Sequence, residues 1–160
     1  MDRFFCSKDQ QNRIRICLPG GGIADVGNAV ERCMAGEGQN PVLCLSVGGN
    51  DVGKVGSVEL FRRFRETLGL IRDRGGVPVV CGVLPRMRKS DEWLSRAMGL
   101  NRELALHCER NGWIYVNTWD SFYNMDHLYA RDGVHLNFKG VKVLSDALER
   151  ALNHQQDFLV

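Results

Sequence analysis

Three short stretches of this sequence place reactive side chains beside glycines. In Asp132-Gly133-Val134-His135-Leu136-Asn137 an acid and an imidazole stand three residues apart, just ahead of a helical pattern. At that spacing the carboxylate can hydrogen-bond to the ring, fix its tautomer and favour its protonated form, as in the orienter–base pair of acyl transfer. The competing reading makes Asp132 a turn residue and His135 an ordinary satisfied side chain. In Ser46-Val47-Gly48-Gly49-Asn50-Asp51-Val52-Gly53 the glycines let backbone come close to a ligand, and Asn50 offers a neutral amide donor. Taken alone, a loop asparagine is by default a turn residue. Pro19-Gly20-Gly21-Gly22-Ile23 admits three uses: a phosphate cradle, a tight turn needing positive φ, or an N–H donor at a helix start aimed at a developing oxyanion. Nucleotide spacing is not met. A dinucleotide turn opening at Gly20 wants glycine where Asp25 stands, and no Gly-Lys-Ser/Thr follows.

The elements that must carry these stretches can be read from the hydrophobic pattern. Strand-like runs cover Arg13 to Leu18, Val42 to Val47, Val77 to Val83 and Trp113 to Asn117. Most are nearly continuously apolar, as parallel strands covered on both faces are. Helical patterns lie at about Ile23 to Met34, Ser57 to Arg74, Asp91 to Arg110 and Phe138 to Leu152. In the last of these, Val141, Leu144, Leu148 and Leu152 form one apolar stripe. Gly75-Gly76 and Asn111-Gly112 each stop a helix ahead of a strand. The alternation predicts right-handed crossovers onto a parallel sheet, hence a single domain over 1–160 built as a three-layer α/β/α sandwich. In such sheets a site forms at the carboxyl ends of the strands, where all three stretches fall.

Composition excludes little and is ordinary for a globular protein. Of 160 residues, 25% are charged, and the net charge of +2 is too small to argue for nucleic acid or an anionic membrane. Arg62, Arg63, Arg65, Arg72 and Arg74, with Arg86, Arg88 and Lys89, are the residues that would serve a nucleic-acid partner. Glu59, Glu66 and Asp73 dilute the helical cluster, so a solvated face accounts for it. The cysteines Cys6, Cys17, Cys33, Cys44, Cys81 and Cys108 form no Cys-x-x-Cys pair, and a reduced, structural role is expected for them. No basic-then-apolar leader opens the chain, and no apolar run approaches the ~20 residues of a membrane span. A cytoplasmic or nuclear compartment is expected.

Taken in order, the glycine turn, Gly-Gly-Asn-Asp after a strand and Asp-Gly-Val-His-Leu-Asn before the last helix resemble the SGNH (GDSL-type) hydrolase family. Val83-Leu84-Pro85 is similar to that family's third strand end, and the likeness runs from about Met1 to Leu152. The wider pattern is similar to the esterase-like domains of some vertebrate retroelement-derived open reading frames. The resemblance implies a flavodoxin-like sheet, carboxylic-ester hydrolysis and no metal or organic cofactor. It also implies Gly22 and Asn50 as oxyanion donors, His135 as base and Asp132 as its orienting acid.

One family element is not matched. The family opens on a strand ending in Gly-Asp-Ser, whose serine is the nucleophile and an oxyanion donor. Here Met1 to Phe5 align with the helix after that serine, and nothing before Arg13 reads as a strand. Ser7 lies in a polar stretch without a glycine turn, and Ser46 falls inside a strand. The expectation is a parallel sheet of about four strands with the family's first strand missing, and weak or absent turnover. The implied partner is a small ester or acyl ligand, with neither nucleic acid nor membrane expected. A strand missing between Arg13–Leu18 and Val42–Val47 leaves unpaired backbone groups in a core. The former is therefore expected to be displaced or insecurely attached, with the open slot available for self-association. A non-catalytic binding module and a retroelement-derived accessory protein remain alternatives, with a flavin or nucleotide site a more distant one.

Overall fold

The computed structural model describes residues 5–8, 13–17, 21–34 and 40–158, with side chains over 21–34 and 40–153. In chain order the elements are β1 (Phe5–Lys8), β2 (Arg13–Cys17), α1 (Ile23–Cys33), β3 (Val42–Leu45), α2 (Ser57–Asp73) and β4 (Val77–Cys81). There follow α3 (Asp91–Asn111), β5 (Ile114–Val116), the short α4 (Trp119–Phe122), a 3-10 turn at Asp126–Leu128 and α5 (Phe138–Phe158). The five strands form one sheet in the order β1-β2-β3-β4-β5. β2, β3, β4 and β5 run parallel, and β1 is antiparallel to β2.

Alternation along the strands sends each sheet face to its own core. Leu43, Leu45 and Val80 face α1, α2 and α3, packing with Ile23, Val30, Phe64, Leu68 and Leu104. Val79, Cys81 and Val116 face the opposite way, onto Leu144, Leu148 and Leu152 of α5. The three-layer sandwich is therefore present, with three helices on one side and one on the other. Val141, the fourth member of the α5 stripe, is half exposed at 52% and does not join that core. It lies in the first turn of α5, before the helix reaches the sheet. The helix stops are also as the glycines imply. Gly75 (φ 83°) follows α2, and Gly112 (φ 70°) ends α3, donating to Cys108 O and Glu109 O.

Two expectations fail at the first strands. Phe5–Lys8 is a strand, although no run before Arg13 has an apolar strand pattern. Its partner explains it: Phe5 to Lys8 pair with Cys17 to Ile14, so the ladder comes from backbone that side-chain pattern does not report. Arg13–Cys17 is not displaced either. Arg13, Ile14 and Arg15 pair directly with Val42, Leu43 and Cys44, so no strand stands between β2 and β3. Closure satisfies the backbone groups that an open slot would leave bare, each of which would cost about 1–3 kcal/mol if dry. With the slot closed, the ground for self-association through it falls away. Among the cysteines with described side chains, Cys81 and Cys108 are free thiols, whereas Cys33 is disulfide-bonded. That corrects the reduced reading for Cys33 and removes one argument for a cytoplasmic or nuclear compartment. Among the described residues no helix is long and apolar enough to cross a membrane.

Candidate active site

The site is built where the loops after β2, β3, β4 and β5 meet. Pro19 and Gly20 lie outside the described residues. Gly22 is the N-cap of α1, and both leading amides of that helix are held by carboxylates. Gly22 N–H donates to Asp25 Oδ2 at 2.9 Å, and Ile23 N–H donates to Asp51 Oδ2 at 2.9 Å. Anions are favoured there because the first helical N–H groups have no intrahelical acceptor. Asp25 sits three residues after the cap, a spacing that could have signalled this arrangement.

Asn50 meets the glycine turn directly, its Nδ2 donating to Gly21 O at 2.9 Å. The loop is a tight one, with Asp51 N–H and Val52 N–H both donating to Gly48 O. Gly48 has φ 117°, and a Cβ there would press on Phe64 and Val83. Asn50 Oδ1 accepts from Arg86 Nη2 at 2.9 Å.

Asp132 and His135 form the second half. The His135 ring, through Nδ1, pairs with Asp132 Oδ2 at 2.5 Å. Asp132 Oδ1 accepts from Val134 N–H at 2.9 Å and His135 N–H at 3.0 Å. The ring hydrogen bond first, then these two amides, hold the Asp132 carboxyl well below the usual carboxylate range. Both side chains are open to solvent, His135 at 73% and Asp132 at 48% relative exposure. Salt and water therefore screen the pair.

Side chains elsewhere hold this loop in place. Gly133 (φ 70°) lies against Met87, whose N–H donates to Gly133 O. Arg88 Nη2 donates to Arg131 O at 3.0 Å, and the Tyr129 hydroxyl donates to Pro85 O. Burial pushes that phenol up to about 12, so it stays protonated as the donor. Asn137 caps α5, its Oδ1 accepting from Gly140 N–H at 3.0 Å while Nδ2 donates to His127 O and Tyr129 O. The strand end below is pinned by buried Asn101, which pairs with both Val83 N–H and Val83 O, and by Thr118 Oγ1 donating to Gly82 O.

Of the four site residues read from the sequence, Gly22 and Asn50 thus lie on adjoining loops, and Asp132 and His135 are bonded to each other. Arg86 joins the two halves. It is hydrogen-bonded to Asn50, and the Asp132 charge acts on its guanidinium. The sequence does not mark Asp25, Asp51, Asn101 and Asn137 as site residues, and it offers Arg86 only to a nucleic-acid partner, since each acts here through a long-range contact or a cap. Among the serines with described side chains, none is hydrogen-bonded to the His135 ring, and Ser46 is exposed just past β3. Among the described residues no cluster of three or more His, Cys, Asp or Glu could hold a metal ion.

The sequence model of the GDSL-like lipase/acylhydrolase family matches residues 20–143, most of the chain and all four of these residues. The chain belongs to this family. A comparison with curated proteins finds no match. Among solved structures, the esterase domain of the ZfL2-1 ORF1 protein from a zebrafish retrotransposon is 28% identical, with a TM-score of 0.58. That alignment covers 86% of this chain and 85% of the zebrafish one. A member of the lipolytic G-D-S-L family from Veillonella parvula aligns at TM-score 0.73 and 13% identity, covering 84% of this chain and 76% of its own. An acetylxylan esterase from Geobacillus stearothermophilus, solved as a catalytic mutant, aligns at 0.68 and 17%, covering 82% and 68%. The last two carry the fold alone. The sheet and helices of this GDSL-type domain are therefore those of SGNH hydrolases.

Proposed function

We propose that this GDSL-type domain acts on carboxylic esters, with Gly22 and Asn50 as oxyanion donors, His135 as base and Asp132 as its orienting acid, and that its turnover is weak. The observation that carries the proposal is the bond from Asp132 to the Nδ1 side of the His135 ring. With the proton on Nδ1, Nε2 is left with a lone pair and becomes the basic atom. In the family the serine hydroxyl would be its client. Where no such serine is at hand, Nε2 can take a proton from water as the water oxygen attacks the ester carbonyl carbon. The carbonyl oxygen becomes an oxyanion beside the Asn50 amide. Collapse breaks the bond to the alcohol oxygen, which leaves with the proton from Nε2, and the acid product remains. The small ester or acyl ligand is thus the substrate class, and no metal or organic cofactor enters the steps.

Two features support weak turnover. The base is open to water, so its electrostatic partners are screened, and Gly22 N–H is already bonded to Asp25. Hydrolases stripped of triad members retain roughly 10³–10⁴-fold acceleration over water from oxyanion and binding groups. The test is hydrolysis of p-nitrophenyl acetate by the purified chain and by His135→Ala and Asn50→Ala. Slow turnover that both substitutions lower is expected. Robust turnover surviving His135→Ala, or a covalent adduct with a fluorophosphonate, would show a nucleophile elsewhere and overturn the scheme. The occupied Gly22 N–H also favours a second reading, a binding module without chemistry, for which ligand binding without turnover is the signature. Likeness to the retrotransposon esterase domain supports descent from such an element in either case.

A further inference from the structure

Arg86 is outside the four residues that the family motifs assign, yet it is hydrogen-bonded to the side chain of one of them. A primary amide can present either its oxygen or its nitrogen along a given direction, whereas a guanidinium carries only donors. Arg86 Nη2, 2.9 Å from Asn50 Oδ1, therefore accepts one orientation of that amide and rejects the other. In that orientation one Nδ2 hydrogen goes to Gly21 O at 2.9 Å. The second Nδ2 hydrogen is the amide donor left for a substrate oxygen. Hydrogen bonding of Oδ1 to a cation also draws electron density from the amide, which makes its N–H the stronger donor.

The loop is shaped to receive this guanidinium. A Cβ on Gly49 would stand 2.6 Å from Arg86 Nη2, so only glycine leaves room for it. On another side the Trp93 ring centroid is 5.7 Å from Arg86 Cζ, within cation–π range. Asp132 acts on it electrostatically, and burial pulls its pKa down without removing its charge. Arg86 is thus a permanent cation set between the Asn50 loop and the acid–base pair.

We infer that Arg86 is a positioning residue of the oxyanion site: it orients the Asn50 amide as a donor toward the substrate carbonyl oxygen. Its effect on turnover rests on the ester-hydrolase reading, but the amide orientation does not. Side-chain amide resonances of Asn50, assigned with Asn50→Asp in ¹⁵N-labelled protein, test it directly. In Arg86→Met they should shift and exchange with water at least severalfold faster. In Gly49→Ala, which keeps the cation but displaces it, they should do the same. Arg86→Lys, which retains a charged donor, should restore part of both effects. His135-dependent hydrolysis of p-nitrophenyl acetate should fall about tenfold or more in kcat for the first two variants, with KM little changed. Should Arg86→Met unfold, Gly49→Ala carries the test by itself. Asn50 resonances unmoved in a folded Gly49→Ala or Arg86→Met protein would overturn the inference, as would a lysine that rescues nothing. Absence of His135-dependent turnover in the unmutated chain would instead sink the hydrolase reading and leave the amide shifts to decide the orientation.

Discussion

Asn101 on α3 is 8% exposed and spends both ends of its amide on one residue, Val83, which is itself buried. Oδ1 accepts from Val83 N–H at 2.7 Å and Nδ2 donates to Val83 O at 3.1 Å. Alanine at 101 leaves one backbone donor and one acceptor without partners inside the core. Each dry orphan costs about 1–3 kcal/mol, and a water entering the vacated space recovers part of that. We expect a loss of about 2–4 kcal/mol, a large share of the ~5–15 kcal/mol that holds a domain folded. At about 2–4 °C per kcal/mol for a chain of this size, the melting temperature should drop by about 4–16 °C. Urea unfolding followed by far-UV circular dichroism measures it, with an unchanged slope showing that the unfolded state is not the cause. Asn101→Leu separates lost pairing from lost volume. Leucine keeps the branched shape, with somewhat more volume than asparagine, but pairs with neither group of Val83, so it should be no more stable than alanine. A leucine variant as stable as the parent, or an alanine variant losing under about 0.5 kcal/mol, would refute the argument that amide pairing holds this strand end.

Gly133→Ala should cost about 1–3 kcal/mol, because it sets a side chain at φ 70° with its Cβ 2.7 Å from Met87 Cβ; chemical denaturation reads the loss. Asp132 is depressed in the folded protein, so its contribution is present above its unfolded pKa of about 3.9 and is lost as pH falls through the folded value. Stability should therefore decline below about pH 4, and Asp132→Asn should flatten that part of the pH profile in thermal melts. Glu59, lowered to about 2 by Arg62 and then Arg63, has the same sign and will remain in the Asp132→Asn background. Because β2 is paired on both sides, amides of 13–17 should exchange as slowly as those of 77–81 in a dilute monomer. Fast exchange confined to 13–17 would mean that β2 and β3 are not joined in solution.

Much of the fold was legible because apolar periodicity reports burial directly. The runs Val42–Val47 and Val77–Val83 appear as strands trimmed at their ends, and the four helical patterns appear as helices, the first two a residue shorter, the third a residue longer and the last extended to Phe158. The acid–base pair was legible too, since Asp132 and His135 are three residues apart and their contact needs only a local turn. By contrast β1 carries no pattern of its own. Its existence depends on which backbone lies beside Phe5–Lys8, and hydrophobicity says nothing about that.

By itself, then, the sequence determined the α/β layering, which follows from periodicity, and the Asp132–His135 contact, which follows from short-range spacing. The roles proposed for Gly22, Asn50, Asp132 and His135 in ester hydrolysis come from the family motifs instead. Tertiary structure alone decided that β2 closes onto β3, because only paired neighbours can satisfy backbone groups in a dry core. It also decided which groups already hold the donors. Asp25 and Asp51 reach the first amides of α1, and Arg86 crosses 36 residues of chain to fix the oxygen of Asn50. A hydrogen bond depends on distance and angle in space, and apart from the cap spacing of Asp25 no pattern along the chain encodes these pairings.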